Sequence, residues 1–252
     1  MRDLTLFTRQ PVAHRGLHDA ARGIVENSRS AISAAIAGGY GIEIDVQLSA
    51  DGKVVVFHDS SLDRLTAAQG AVNAQPAAAL QGMALMGTPD HILKLREVLE
   101  LVAGRAPLLI ELKSAFDGDM RLADACAALV ADYPGPVALM SFDPDLVARV
   151  RRTAPAIIRG IVAEGRYDRK GWSDLSPTQR RTLPYLLHWP RTRFDFVAYR
   201  VRDIGNAPTR LARRLGIPVL AWTVRTPEER ARASTLADQI IFEGFVPGVT
   251  PH

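Results

Sequence analysis

The chain has 252 residues, 47% of them hydrophobic and 23% charged, with a formal net charge of +4. That composition excludes wholesale disorder, and the length suits one barrel-sized domain. A lone cysteine excludes a disulfide framework and a multi-cysteine metal site, and no apolar run approaches the roughly 18 residues of a membrane span.

The N-terminal stretch 1-MRDLTLFTRQPVAHRG-16 carries Arg2, Asp3 and Arg9, with no apolar core and no small-residue cleavage site. It does not read as a signal peptide, so a cytoplasmic protein is expected. A first β-rich run, 11-PVAHR-15, leads to Asn27-Ser28, which opens a helical stretch closing on Gly38-Gly39. The second run is 41-GIEIDV-46. Residues 47–106 then break the rhythm with a β-like segment 53-KVVVF-57, a low-complexity stretch and a helix near 94–104. They are expected to form a small insertion after the second barrel strand. Next come 107-PLLIEL-112 and the helical 122-LADACAALV-130, in which Cys126 is expected to be a buried, inert thiol. The run 136-PVALMS-141 precedes a helix capped by Asp143-Pro144, and 157-IIRGIV-162 and 194-FDFVAY-199 follow. Thr226-Pro227 opens the last helix, between 218-PVLAWTV-224 and 239-QIIF-242. Eight strands alternating with helices predict an α/β fold, a (β/α)₈ TIM barrel, with residues 1–252 as one domain.

The chemistry concentrates at strand ends. Residues two apart in a strand share a face, so Glu43 and Asp45 point together, as do Glu111 and Lys113. Charges inside the apolar runs 41-GIEIDV-46 and 108-LLIELK-113 fit poorly with simple solvent exposure. Three carboxylates facing one interior repel and resist desolvation, and a divalent cation resolves both problems. An all-oxygen set of Glu43, Asp45 and Glu111 suits Mg²⁺, Ca²⁺ or Mn²⁺ rather than zinc or copper.

His14 and His58 both follow apolar strands, where two imidazoles could share general acid and base work. His18, His91, His188 and the terminal His252 lack such settings and read as surface or hydrogen-bonded core histidines. Arg15 and Lys113 add positive charge suited to phosphate, although Lys113 could equally pair with Glu111. Trp222, at a strand end, reads as a pocket wall or as a core tryptophan. The remaining arginines, such as Arg151-Arg152, Arg180-Arg181 and Arg213-Arg214, are scattered. They read as solvated helix faces, so no nucleic-acid partner is expected.

The segments 13-AHRG-16, 26-ENS-28, 43-EID-45, 57-FHD-59, 62-LDRLT-66, 111-ELK-113, 141-SFD-143 and 221-AWTV-224 resemble, in order, those of the glycerophosphodiester phosphodiesterase family. The resemblance implies a metal held by Glu43, Asp45 and Glu111, an acid–base pair of His14 and His58, and phosphate contacts from Arg15 and Lys113. It places Glu26 near the metal. It implies hydrolysis of a small-molecule glycerophosphodiester to sn-glycerol 3-phosphate and an alcohol, within lipid and glycerol metabolism. The expected route is attack by the substrate's own neighbouring hydroxyl, through a cyclic phosphate. Two alternatives are a related barrel lyase that releases cyclic phosphate from a phospholipid, and an inactive binding module. Where the family commonly ends its last strand with a Thr-Asp pair, this chain has Glu243 in 240-IIFEGFVPG-248.

Overall fold

The computed structural model describes residues 2–248, so His252 lies outside the described residues. Ten strands form one sheet: β1 (Val12–Ala13), β2 (Gly41–Leu48), β3 (Val54–Val56), β4 (Leu93–Lys94), β5 (Leu108–Leu112), β6 (Val137–Ser141), β7 (Ile158–Ala163), β8 (Phe196–Arg200), β9 (Val219–Val224) and β10 (Gln239–Phe242). Eight of them are parallel, in the order β1-β10-β9-β8-β7-β6-β5-β2, and β1 also pairs with β2, which closes the (β/α)₈ barrel. Among the described residues no helix is long and apolar enough to cross a membrane.

Strand alternation divides the apolar residues between two cores. Ala13, Ile42, Ile44, Val46, Leu108, Ile110 and Leu112 pack outward with the helices, among them Arg29–Ala37, Arg121–Val130 and Pro144–Thr153. Cys126 is fully buried there, as the sequence leads one to expect, and burial pushes its thiol pKa up. Val12, Leu109, Ala138, Met140, Val162, Phe196, Ala198, Leu220 and Ile241 point inward and fill the barrel. Leu4 and Phe7, from and beside the short N-terminal helix Thr5–Thr8, join this inner cluster. Gly160 makes room for Phe196: a Cβ there would sit 2.3 Å from the phenyl ring. The same alternation puts Glu43, Asp45 and Glu111 on the inner face, around a cavity that Met140, Val162, Ala198 and Ile241 also line.

Between β2 and β5 the chain leaves the barrel. β3 pairs antiparallel with β2, and β4 pairs antiparallel with β3. This segment has its own small core, in which Val55, Phe57, Leu62, Val72, Leu80, Leu85 and Ile92 are fully or almost fully buried. Its consequence for the site is His58, delivered just beyond β3. A second excursion, after β7, packs Tyr167, Trp172, Leu175 and Leu183 against Phe116 and Phe142.

Candidate active site

Eight of the residues singled out in the sequence line one cavity of about 400 Å³ at the C-terminal ends of the barrel strands: His14, Arg15, Glu43, Asp45, His58, Glu111, Lys113 and Trp222. That is the end where barrel enzymes carry their chemistry.

Glu43 and Asp45 are each 1% exposed and Glu111 is 8% exposed. Asp45 and Glu111 are register neighbours across β2 and β5. One oxygen from each of the three carboxylates lies within 4.8 Å of the others. Burial, then the charges of Asp45 and Glu111, push the Glu43 carboxyl well above its usual range. One Glu43 oxygen accepts the Arg15 backbone N–H at 2.9 Å, while the other, Oε1, is buried with no partner. An orphaned buried carboxylate oxygen in an all-oxygen set is what a hard divalent cation satisfies. Asp45 is different: burial opposes its ionisation, but Lys113, His58 and Arg15 hold it below the usual carboxylate range. It also accepts from Asn27 Nδ2 at 3.0 Å.

The turn after β1 sets the geometry. Arg15 adopts φ +55° and Gly16 φ +77°, both left-handed. Such a conformation costs a non-glycine residue about 1–2 kcal/mol and persists where surrounding contacts impose it. Here the imposed contacts are the Arg15 N–H on Glu43 and an Arg15 guanidinium 2.7 Å from Glu26 and 3.3 Å from Asp45. Arg15 Nε nonetheless makes no well-directed hydrogen bond within the protein. Lys113 Nζ donates to Glu111 at 2.9 Å and Asp45 at 3.3 Å. Burial works against its charge, but Glu111 and Asp45 raise its pKa and keep it an ammonium. Of its three N–H donors these pairs use two, so an ion pair and an anion contact are compatible.

Each imidazole has a carboxylate behind it. His14 Nδ1 lies 2.5 Å from Glu243 Oε2, and His58 Nδ1 lies 2.7 Å from Asp59 Oδ1. A carboxylate at Nδ1 places the proton there and leaves Nε2 as the nitrogen available to a substrate. Burial lowers the His14 pKa despite the Glu243 hydrogen bond. Asp59 is held down at about 2 by its hydrogen bonds to Arg64. Arg64 also bridges to Glu26, so His58, Asp59, Arg64, Glu26 and Arg15 form one chain of contacts. Glu26 thus anchors two arginines, a role its place before the helix cap does not disclose.

Trp222 combines both readings offered by the sequence. Its indole N–H donates to the Ala198 carbonyl at 3.1 Å, its ring meets Phe142 edge-on at 5.4 Å, and it lines the cavity. Sequence reasoning left Glu243 without a role and set His18 aside. The structure puts His18 Nε2 3.6 Å from Glu243, and Arg225 Nε 2.5 Å from the same carboxylate. Glu243 stands immediately after β10, the same strand-end position that marks His14, and that signal could have found it. His91 is exposed and His188 sits away from the cavity beside Phe194.

The sequence profile of the glycerophosphoryl diester phosphodiesterase family matches residues 14–243. Rat glycerophosphodiester phosphodiesterase 1 is 26% identical over 96% of this chain and 80% of its own length. The uncharacterised Bacillus subtilis protein YqiK is 32% identical, over 60% of this chain and 65% of its own length. Among solved structures, an Oleispira antarctica phosphodiesterase in complex with the product sn-glycerol-3-phosphate superposes with a TM-score of 0.78 at 22% identity, covering 95% of this chain and 94% of that one. A Thermotoga maritima glycerophosphodiester phosphodiesterase superposes with a TM-score of 0.70 at 25% identity, covering 92% and 94%.

Proposed function

The chain belongs to the glycerophosphoryl diester phosphodiesterase family, and from that footing we propose that it is a metal-dependent hydrolase converting glycerophosphodiesters to sn-glycerol 3-phosphate and an alcohol. The carrying observation is the joint placement, in one cavity, of three buried carboxylates, two carboxylate-backed imidazoles, Arg15 and Lys113. In this reading the whole chain is one catalytic unit, and the inserted segment 47–106 supplies His58.

Glu43, Asp45 and Glu111 would hold the divalent cation. Bound there, Mg²⁺, Ca²⁺ or Mn²⁺ supplies Lewis acidity toward phosphoryl oxygen and offsets the mutual repulsion of its ligands. The protein's own groups do the rest. Arg15 Nη2, which no hydrogen bond among the described residues uses, and the third Lys113 N–H are donors still available to a phosphate oxygen. His14, kept neutral by burial, is the base: its Nε2 takes the proton of the hydroxyl next to the ester. That oxygen bonds to phosphorus as the bond to the alcohol breaks, and His58 gives its proton to the departing oxygen. The roles then reverse. His58 takes a proton from water, the water oxygen bonds to phosphorus, and His14 returns its proton to the ring oxygen of the cyclic phosphate. Intramolecular attack gains from proximity, worth up to roughly 7–11 kcal/mol in favourable models. Trp222 supplies an apolar face for the glycerol carbons.

The test is chelation. Activity on glycerophosphodiesters should vanish after verified metal removal and return with Mg²⁺, Ca²⁺ or Mn²⁺. Glu43→Gln should lose that response while its melting temperature without metal stays at or above wild type, because one of three repelling carboxylates is gone. Full turnover in excess chelator would sink the metal assignment.

A further inference from the structure

The barrel mouth has two unlike halves. The carboxylates, His14, Arg15 and Lys113 belong to β1, β2 and β5. Across the opening, β8 ends in Arg200, Arg202 follows it, and Arg225 follows β9; all three line the same cavity. Glu229 is the carboxylate that lines the cavity on that side.

Donor use separates the three arginines. Arg200 is committed: its Nη1 holds Glu164 at 2.7 Å and its Nε holds Asp203 at 2.6 Å. Arg225 uses its Nε on Glu243, and Arg202 has only Glu229, 3.8 Å from its Nε, with its side chain 81% exposed. Among the described residues, no hydrogen bond uses either terminal nitrogen of Arg202 or Arg225. A guanidinium presents five N–H donors in a planar fork that fits carboxylate and phosphate two bonds at a time. This rim therefore offers the terminal nitrogens of two guanidiniums to whatever extends across the mouth from a phosphorus held at Arg15 and Lys113. Trp222 and Phe142 stand beside it, and their ring faces alone could attract a quaternary ammonium. The terminal N–H groups of Arg202 and Arg225, which line the same cavity, oppose that cation, with Glu229 and Glu243 offsetting part of their charge.

Resting on the hydrolytic reading above, we propose that Arg202 and Arg225 make this site selective for diesters whose alcohol carries its own anionic group, a phosphate or a carboxylate, against diesters of cationic alcohols. The phosphodiester is bound at one half of the mouth and the second anion at the other.

The experiment compares three substrates of the metal-loaded enzyme: glycerophosphoglycerol, the same diester with a terminal phosphate on one glycerol, and glycerophosphocholine. The expected order of kcat/KM is phosphorylated, plain, choline, with the first about tenfold over the second at low salt and the gap shrinking toward about 0.3 M salt. Arg202→Glu should compress the phosphorylated-to-plain ratio by about tenfold, mainly through KM, and Arg202→Lys, which keeps the charge but loses the fork, should compress it by a smaller factor. Choline turnover equal to or above the phosphorylated diester, or a ratio that neither salt nor Arg202→Glu moves, overturns the proposal while hydrolysis stands. No turnover of any of the three overturns the hydrolytic reading and the proposal together.

Discussion

At His14 the deciding contact comes from a residue 229 positions away, Glu243, which fixes the tautomer and leaves Nε2 for the substrate. His58 is set by its immediate neighbour, Asp59. In the proposed mechanism one imidazole starts neutral and the other protonated, so activity should be bell-shaped in pH, with two apparent pKa values belonging to the pair. His14→Ala or His58→Ala should lower kcat by about 10²–10⁴, the usual worth of one general acid or base. A 2-deoxy glycerophosphodiester should be turned over far more slowly than the natural one, and equal rates would mean that water attacks phosphorus directly. Away from the site, His188 is a stability sensor. Burial, then the charge of Arg191, lowers its pKa to about 4, and its Nε2 is buried without a partner. The unfolded chain takes up this proton near pH 6.5 and the folded one only near 4. The neutral imidazole's contribution is therefore complete above about 6.5 and is lost as pH falls from there to about 4, on the order of 2–3 kcal/mol. Chemical denaturation of wild type and His188→Gln at pH 7 and pH 4.5 checks it: the gap in stability between the two pH values should be smaller in the variant.

The turn between β1 and the helix Arg29–Ala37 is the element on which the site depends most. Ser28 caps that helix by accepting the Ala31 N–H at 3.1 Å, and Gly16 lies against the same first turn. A Cβ at Gly16 would meet the Ala31 carbonyl carbon at 2.8 Å, at a φ of +77° that L-residues rarely adopt. Gly16→Ala should therefore cost about 2–3 kcal/mol and lower the melting point by roughly 5–10 °C. Because Arg15 is in the same strained turn, the folded fraction should also lose activity. An unchanged melting temperature with full kcat would show that the turn adapts freely. Much of this element could be read from the chain itself. His14-Arg15-Gly16 ends an apolar run, and Asn27-Ser28 is a helix start. Its left-handed arginine could not, since the contacts that impose it come from Glu43, Glu26 and Asp45 on other segments.

At the scale of the whole molecule, the division between what could and could not be read follows sequence distance. Period-two alternation and caps are local, so eight strands, the intervening helices and the inward carboxylates were accessible from spacing alone. Glu43 and Glu111 stood out because a charge inside an apolar strand needs a partner. Contacts made by barrel closure were not accessible: β1 meets β10 only in three dimensions, and that closure brings Glu243 to His14 and His18. Nothing local in the sequence marked the arginines of the rim, which β8 and β9 place around one opening. The central claim is that this opening hydrolyses a glycerophosphodiester completely. The most direct measurement is a phosphorus-31 NMR time course of glycerophosphoglycerol with the metal-loaded protein. The diester resonance should be replaced by that of the monoester sn-glycerol 3-phosphate, with any cyclic phosphate only transient. Accumulation of a stable cyclic phosphate would identify a lyase, an unchanged diester resonance would identify a binding module, and either result would contradict the account.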